Sequence, residues 1–125
     1  MVRILIVDDD RNMRELLALH LRNAGYELDV AEDGVAAGYS VLRARPDLII
    51  SDIRMPGFDA LEFIALLRQE RSLRDIPVIL LSTGHESETP GKKLGVVRYV
   101  RKPVRADTLL SIIAELVQGG LVPIG

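Results

Sequence analysis

Apolar residues along this chain fall into two alternating patterns. Arg3 to Val7, Leu48 to Ile50 and Pro77 to Leu81 are nearly unbroken runs of Ile, Leu and Val. Without period-two alternation, they predict strands covered on both faces. Tyr26, Leu28 and Val30 alternate with Glu27, Asp29 and Ala31, which predicts a second strand nearer a sheet edge, and Tyr99-Val100 predicts a short fifth. Between these runs the period changes to three and four. Met13, Leu16, Leu17, Leu21 and Ala24 mark a first helix, with Asp10 or Asn12 as its cap and Gly25 at its end. Asp33-Gly34 opens a second helix running to about Arg45, where Pro46 stops it. Met55-Pro56-Gly57 reads as a loop. Leu61, Ile64 and Leu67 predict the buried face of a third helix, and Leu109, Leu110, Ile113, Leu116 and Val117 that of a last one. From Gly84 to Lys93 the chain carries Pro90-Gly91 and few apolar residues, so a fourth helix there is expected to be atypical: short, late or mobile.

Strands alternating with helices predict an α/β fold. The expected form is a doubly wound, five-stranded parallel sheet with helices on both faces, right-handed crossovers and the flavodoxin-like order 2-1-3-4-5. The 125 residues suit one domain, expected over residues 1–118. Residues 119–125, beginning Gly119-Gly120, read as a tail or the start of a linker. Composition removes several function classes. Cysteine is absent, which excludes disulfides, thiolate zinc and a cysteine nucleophile and fits a cytoplasmic location. No apolar stretch reaches membrane-spanning length. With 16 Lys+Arg against 18 Asp+Glu, the net charge of −2 gives no footprint for direct nucleic-acid binding. A protein or a small ion is the expected partner.

The chemistry is expected where the winding direction reverses. In doubly wound sheets ligands bind beyond the carboxyl ends of the strands at that point, here between the first and third strands. The first strand ends in Asp8-Asp9-Asp10 and the third in Asp52, so the fold brings at least three carboxylates together. Ionised carboxylates in one cleft repel, and Mg2+ with a lysine is a suitable offset. With a phosphoryl donor present, the most central carboxylate becomes the nucleophile. Ser82 closes the fourth strand and Lys102 the fifth, so a hydroxyl and an ammonium could face a phosphoryl oxygen. Pro103 biases Lys102 to extended geometry and permits a cis peptide that aims the ammonium at the cleft.

Taken in order, these residues resemble the response-regulator receiver domains of two-component signalling. The match runs through Ile-Val-Asp-Asp-Asp at 6–10, Asp33-Gly34, Pro-Asp-Leu-Ile-Ile-Ser-Asp at 46–52, Met-Pro-Gly at 55–57, Leu-Leu-Ser at 80–82 and Lys102-Pro103. The resemblance implies that Asp52 is the phosphoacceptor and that Asp8, Asp9, Asp52 and the backbone carbonyl of Arg54 hold magnesium. It implies that Ser82 bonds the phosphoryl group, that Lys102 pairs with it, and that Tyr99 is the aromatic switch. It further implies a sensor histidine kinase or phosphotransfer protein as donor, or a small donor such as acetyl phosphate. The surface around the fourth helix, fifth strand and fifth helix would change on phosphorylation, acting on a downstream protein or an output domain, or forming a phosphorylation-dependent dimer. No enzyme activity is implied beyond self-phosphorylation and self-dephosphorylation. The chain departs from the family where Ala60 follows Asp59 in place of the usual Gly, and where Glu86 to Lys93 replaces an alanine-rich helix. Arg54 stands two residues past the phosphoacceptor, where side chains tune phosphoryl lifetime.

Plainer roles stand beside these. Asp10 alone can cap the first helix, Ser82 can satisfy local backbone groups while Thr83 competes for its role, and Tyr99 can be simple packing. His20 and His85 are expected to take no part. Two other functions fit parts of the pattern. A haloacid-dehalogenase-type phosphohydrolase would use Asp8 as nucleophile with Asp10 two residues on. A phosphorylation-independent interaction module would keep the fold and bind a protein constitutively.

Overall fold

The computed structural model describes residues 1–122. In chain order the elements are β1 (Arg3–Val7), α1 (Arg11–Asn23), β2 (Glu27–Ala31), α2 (Gly34–Arg43), β3 (Leu48–Asp52), β4 (Arg54–Met55), β5 (Phe58–Asp59), α3 (Ala60–Gln69), β6 (Val78–Ser82), α4 (Thr89–Lys93), β7 (Val96–Arg101) and α5 (Ala106–Gln118). Five strands form one sheet in the order β2-β1-β3-β6-β7, with every pairing parallel. With the β4–β5 pair set aside, this is the 2-1-3-4-5 order expected from the sequence.

The unbroken apolar runs have a physical cause visible in the packing. Alternate residues of a strand point to opposite faces, and here each face has its own core. Ile4 and Ile6 of β1, Leu48 and Ile50 of β3, and Ile79 and Leu81 of β6 pack with Leu17 and Leu21 of α1 and Leu109, Ile113 and Leu116 of α5. Leu5, Val7, Ile49, Val78 and Leu80 pack on the other side with Ala37 and Val41 of α2 and Ala60, Ile64 and Leu67 of α3. A strand wet on neither face has no polar position to alternate.

Several details differ from the sequence reading. The buried stripe of α1 is Leu17, Ala18 and Leu21, whereas Leu16 is exposed. Helix α2 stops at Arg43, two residues early. The loop at Met55-Pro56-Gly57 is the turn of a hairpin: Arg54 pairs with Asp59 and Met55 with Phe58, and Gly57 takes the positive φ of 69° that the turn requires. Ala60 is buried as the first residue of α3, so the expected Gly is replaced without strain. Strand β7 has six residues rather than two, with an irregularity opposite Val78/Ile79. Its edge position leaves Arg98 and Arg101 wet, which hid it from an apolar-run reading. Helix α4 has five residues and no side-chain cap. Beyond α5, the amides of Leu121 and Val122 donate to the carbonyl of Leu116 and Val122 is buried, so packing continues to that point. Residues 123–125 of the expected tail lie outside the described residues.

Candidate functional site

Two central strands end side by side and deliver the acids. Asp8 follows β1 directly, and its amide donates to the Ala31 carbonyl at 3.1 Å, which holds it in line with the sheet. Its carboxylate accepts the Asp10 amide at 2.9 Å, and its own carbonyl accepts from the Arg14 guanidinium at 2.8 Å. The Asp10 carboxylate instead caps α1, accepting from the amides of Asn12 and Met13. Asp52 closes β3 and is buried, as is Asp8, while Asp9 is exposed. One carboxylate oxygen from each of Asp8, Asp9 and Asp52 lies within 4.8 Å of the others.

Lys102 reaches this cluster from the end of β7. Its backbone amide donates to the Ser82 carbonyl at 2.7 Å, the Lys102–Pro103 peptide is cis, and its ammonium lies 2.7 Å from Oδ1 of Asp52. One ammonium does not neutralise three carboxylates. Burial pushes the Asp8 carboxyl up from its ordinary value, with the charges of Asp52 and Asp9 adding to it, and the Asp10 amide and Lys102 offset this only in part. An all-oxygen, strongly anionic donor set with an open mouth suits a hard divalent cation such as magnesium. The cleft measures about 320 Å³ and is walled also by Met13, Arg54 and Pro103.

A larger groove of about 710 Å³ lies beside this cleft, between the β4–β5 hairpin and the segment before α4. Arg54 lines both. The acids, not the larger volume, mark the chemistry, since the groove carries no comparable cluster of carboxylates. Ser82 is buried at the end of β6, next to Leu81 of the cleft wall, and its hydroxyl is already engaged. It donates to Oε2 of Glu86 at 2.8 Å and accepts from the Gly84 amide at 2.9 Å. Thr83 donates to the same Glu86 oxygen at 2.9 Å, and the Arg54 guanidinium lies 3.4 Å from the other. Burial works against charge on Glu86, yet the Ser82 hydroxyl, its own backbone amide, the Thr83 hydroxyl and Arg54 together outweigh it and hold the carboxyl at about 2.

Tyr99, on β7 opposite Leu80, is half-buried over α4. A methyl group at Gly91 would fall on its hydroxyl, so Gly91 is there to admit the ring. Burial first, then the nearby charge of Glu88, raises the phenol above its ordinary value. His20 and His85 are exposed and outside the acid cluster. The structure thus brings Asp8, Asp9, Asp52 and Lys102 together, puts Ser82 and Arg54 at the margin, and sets Tyr99 against α4. Glu86 is the residue that sequence reasoning missed. Its only sequence signal is a position four residues beyond Ser82, in a segment without periodicity.

Comparison with known proteins agrees with this geometry. Residues 4–114 match the family described as the response regulator receiver domain. The chain is 40% identical over 120 residues to the response regulator MprA of Mycobacterium leprae, covering 94% of this chain and 51% of that protein. It therefore spans about half the length of the curated relatives it matches. Among solved structures it is similar to the chemotaxis response regulator CheY4 of Vibrio cholerae, with a TM-score of 0.86, 33% identity, and coverage of 94% of this chain and 99% of that one. It is also similar to the response regulator TrrA of Thermotoga maritima in complex with magnesium and beryllofluoride, with a TM-score of 0.80, 36% identity, and coverage of 94% and 100%. An acid cleft at the switch point of a 2-1-3-4-5 sheet and a family match over nearly the whole chain agree: the chain belongs to the response regulator receiver domains, the phosphoacceptor modules of two-component systems.

Proposed function

We propose that Asp52 is the phosphoacceptor and that Asp8, Asp9, Asp52 and the Arg54 carbonyl hold a magnesium ion. The observation that carries this is the convergence of three carboxylates within 4.8 Å with an ammonium 2.7 Å from one of them. Of the three acids, Asp52 is the one in contact with Lys102, and it sits at the end of the central strand of the sheet. Bound magnesium would neutralise charge as it develops on the transferring group.

In the transfer, an Asp52 oxygen forms a bond to phosphorus as the bond from phosphorus to the donor nitrogen breaks, and the electron pair leaves with the imidazole of a histidine kinase or phosphotransfer protein. Lys102 then balances the charge that the phosphoryl oxygens add near Asp52. The Ser82 hydroxyl donates to one of those oxygens, and Tyr99 repacks against α4. The face formed by α4, β7 and α5 changes with it and is read by a downstream protein, by an output domain or by a second copy of the chain. The module works in the cytoplasm without touching nucleic acid itself; among the described residues no helix is long and apolar enough to cross a membrane.

Mass spectrometry after treatment with magnesium and acetyl phosphate tests the reading. A single phosphoryl adduct is expected on Asp52, absent in Asp52→Asn. An adduct on Asp8 with turnover of free phosphate esters would instead make the chain a hydrolase. Partner binding that is unchanged by the donor and by Asp52→Asn would make it a constitutive interaction module.

A further inference from the structure

A hydroxyl carries one proton, so it donates to one acceptor at a time. Ser82 gives that proton to Glu86, and the Gly84 amide occupies one of its lone pairs. Thr83 gives its proton to the same carboxylate, and Arg54 stands against the other oxygen. Hydroxyl and guanidinium donors gathered around one carboxylate form the kind of cradle that recognises a phosphoryl oxygen, and this chain fills it with its own side chain. The Glu86 side chain is 9% exposed, although it is carried on a segment with no regular structure between β6 and α4.

We propose that Glu86 is an internal anion that holds the Ser82 hydroxyl in reserve, and that a phosphoryl group on Asp52 must displace it to be bound. The proposal rests on the phosphoacceptor reading of Asp52. Asp52 pairs in register with Leu81, the residue before Ser82, so a phosphoryl group on Asp52 and the Glu86 carboxylate compete for one donor. Like charges repel, which drives the Glu86 carboxylate away from an occupied site. Arg54 lines both the acid cleft and the neighbouring groove, and can follow either anion. Release of Glu86 unties the segment that leads into α4, where Gly91 supports Tyr99. Glu86 is a positioning residue: it sets how readily the site accepts its charge and couples acceptance to the α4 segment.

The probe is magnesium with beryllofluoride, titrated into the wild-type chain, Glu86→Ala, Glu86→Gln, Asp52→Asn and the Ser82→Ala/Glu86→Ala pair, with backbone amide resonances as readout. Glu86→Ala is expected to bind the probe roughly tenfold more tightly, a difference of about 1.4 kcal/mol. Amides of residues 83–88 in the probe-free variant should move toward their positions in the probe-bound wild type. Adding Ser82→Ala should remove most of the gain. Glu86→Gln keeps the side chain's size and should show part of it, so a folding defect in the alanine variant does not void the test. Unchanged or weaker binding by both Glu86 variants, with Asp52→Asn silent, overturns the competition and leaves the phosphoacceptor reading intact. A response that survives in Asp52→Asn overturns that reading instead.

Discussion

Asp8 is only 2% exposed and faces two other carboxylates, so the metal-free chain carries electrostatic repulsion that a purely structural residue would not. Replacing Asp8 with Asn keeps the shape and the acceptor for the Asp10 amide while removing the charge. The metal-free chain should gain about 1–2 kcal/mol in urea unfolding, and the response to magnesium should be lost. A loss of stability would show that the carboxylate is needed by the fold rather than by the site. Lys102 has the opposite sign. Without its ammonium, the nearly buried Asp52 loses a charge-assisted partner at 2.7 Å, and Lys102→Met should cost about 1–3 kcal/mol. Glu86 supplies the pH dependence. Its carboxyl is held at about 2 against an ordinary 4.5, so the folded chain favours the ionised form. The stability this contributes is complete above the ordinary value and is lost as pH falls through the folded one. The gap in unfolding free energy between wild type and Glu86→Gln should therefore be constant above about pH 5 and close as pH approaches about 2. A gap that does not change over this range would mean that the Ser82, Thr83 and Arg54 contacts do not favour the charge.

At the scale of elements, legibility followed how much a segment's own residues decide its structure. β1, β3 and β6 could be read because burial on two faces demands an unbroken apolar run. β7 could be read only at its core, since an edge strand with Arg98 and Arg101 in solvent looks like a loop on either side of Tyr99-Val100. The β4–β5 hairpin gave no periodic signal, because two-residue strands are too short to show one. The weak fourth helix could be foreseen from Pro90 and Gly91, but its reason could not. Gly91 is buried beneath the Tyr99 hydroxyl, a tertiary constraint that outweighs helix propensity. Gly91→Ala should expel the Tyr99 ring and cost about 1–3 kcal/mol despite the better helix former. In a Tyr99→Ala background the same change should be nearly neutral or stabilising, and a double-mutant cycle by urea unfolding measures the difference. Additive costs would mean that Tyr99 and Gly91 do not constrain each other.

For the whole molecule, the sheet decides what is rigid and what can respond. Asp8, Asp9, Asp52 and Lys102 were legible because they stand at strand ends, where topology alone fixes their meeting. Glu86 was not, because its position depends on the path of a segment that no strand or helix dictates. The same division predicts dynamics. Amides of β1, β3 and β6 lie between two cores, so they exchange hydrogen through global unfolding, whereas residues 83–93 exchange through local opening. Magnesium binds between the ends of β1 and β3 in the proposed function, so it stabilises only states in which those strands are folded together. Its contribution grows as RT ln(1 + [Mg2+]/Kd), about 2.7 kcal/mol at a hundredfold excess over Kd. Central-strand exchange should slow by that factor in magnesium, roughly a hundredfold, while exchange in residues 83–93 should hardly change, because their opening leaves the acid cluster assembled. Equal slowing in both regions would mean that the α4 segment opens only with the whole sheet, and a release of Glu86 confined to that segment would then be physically unavailable.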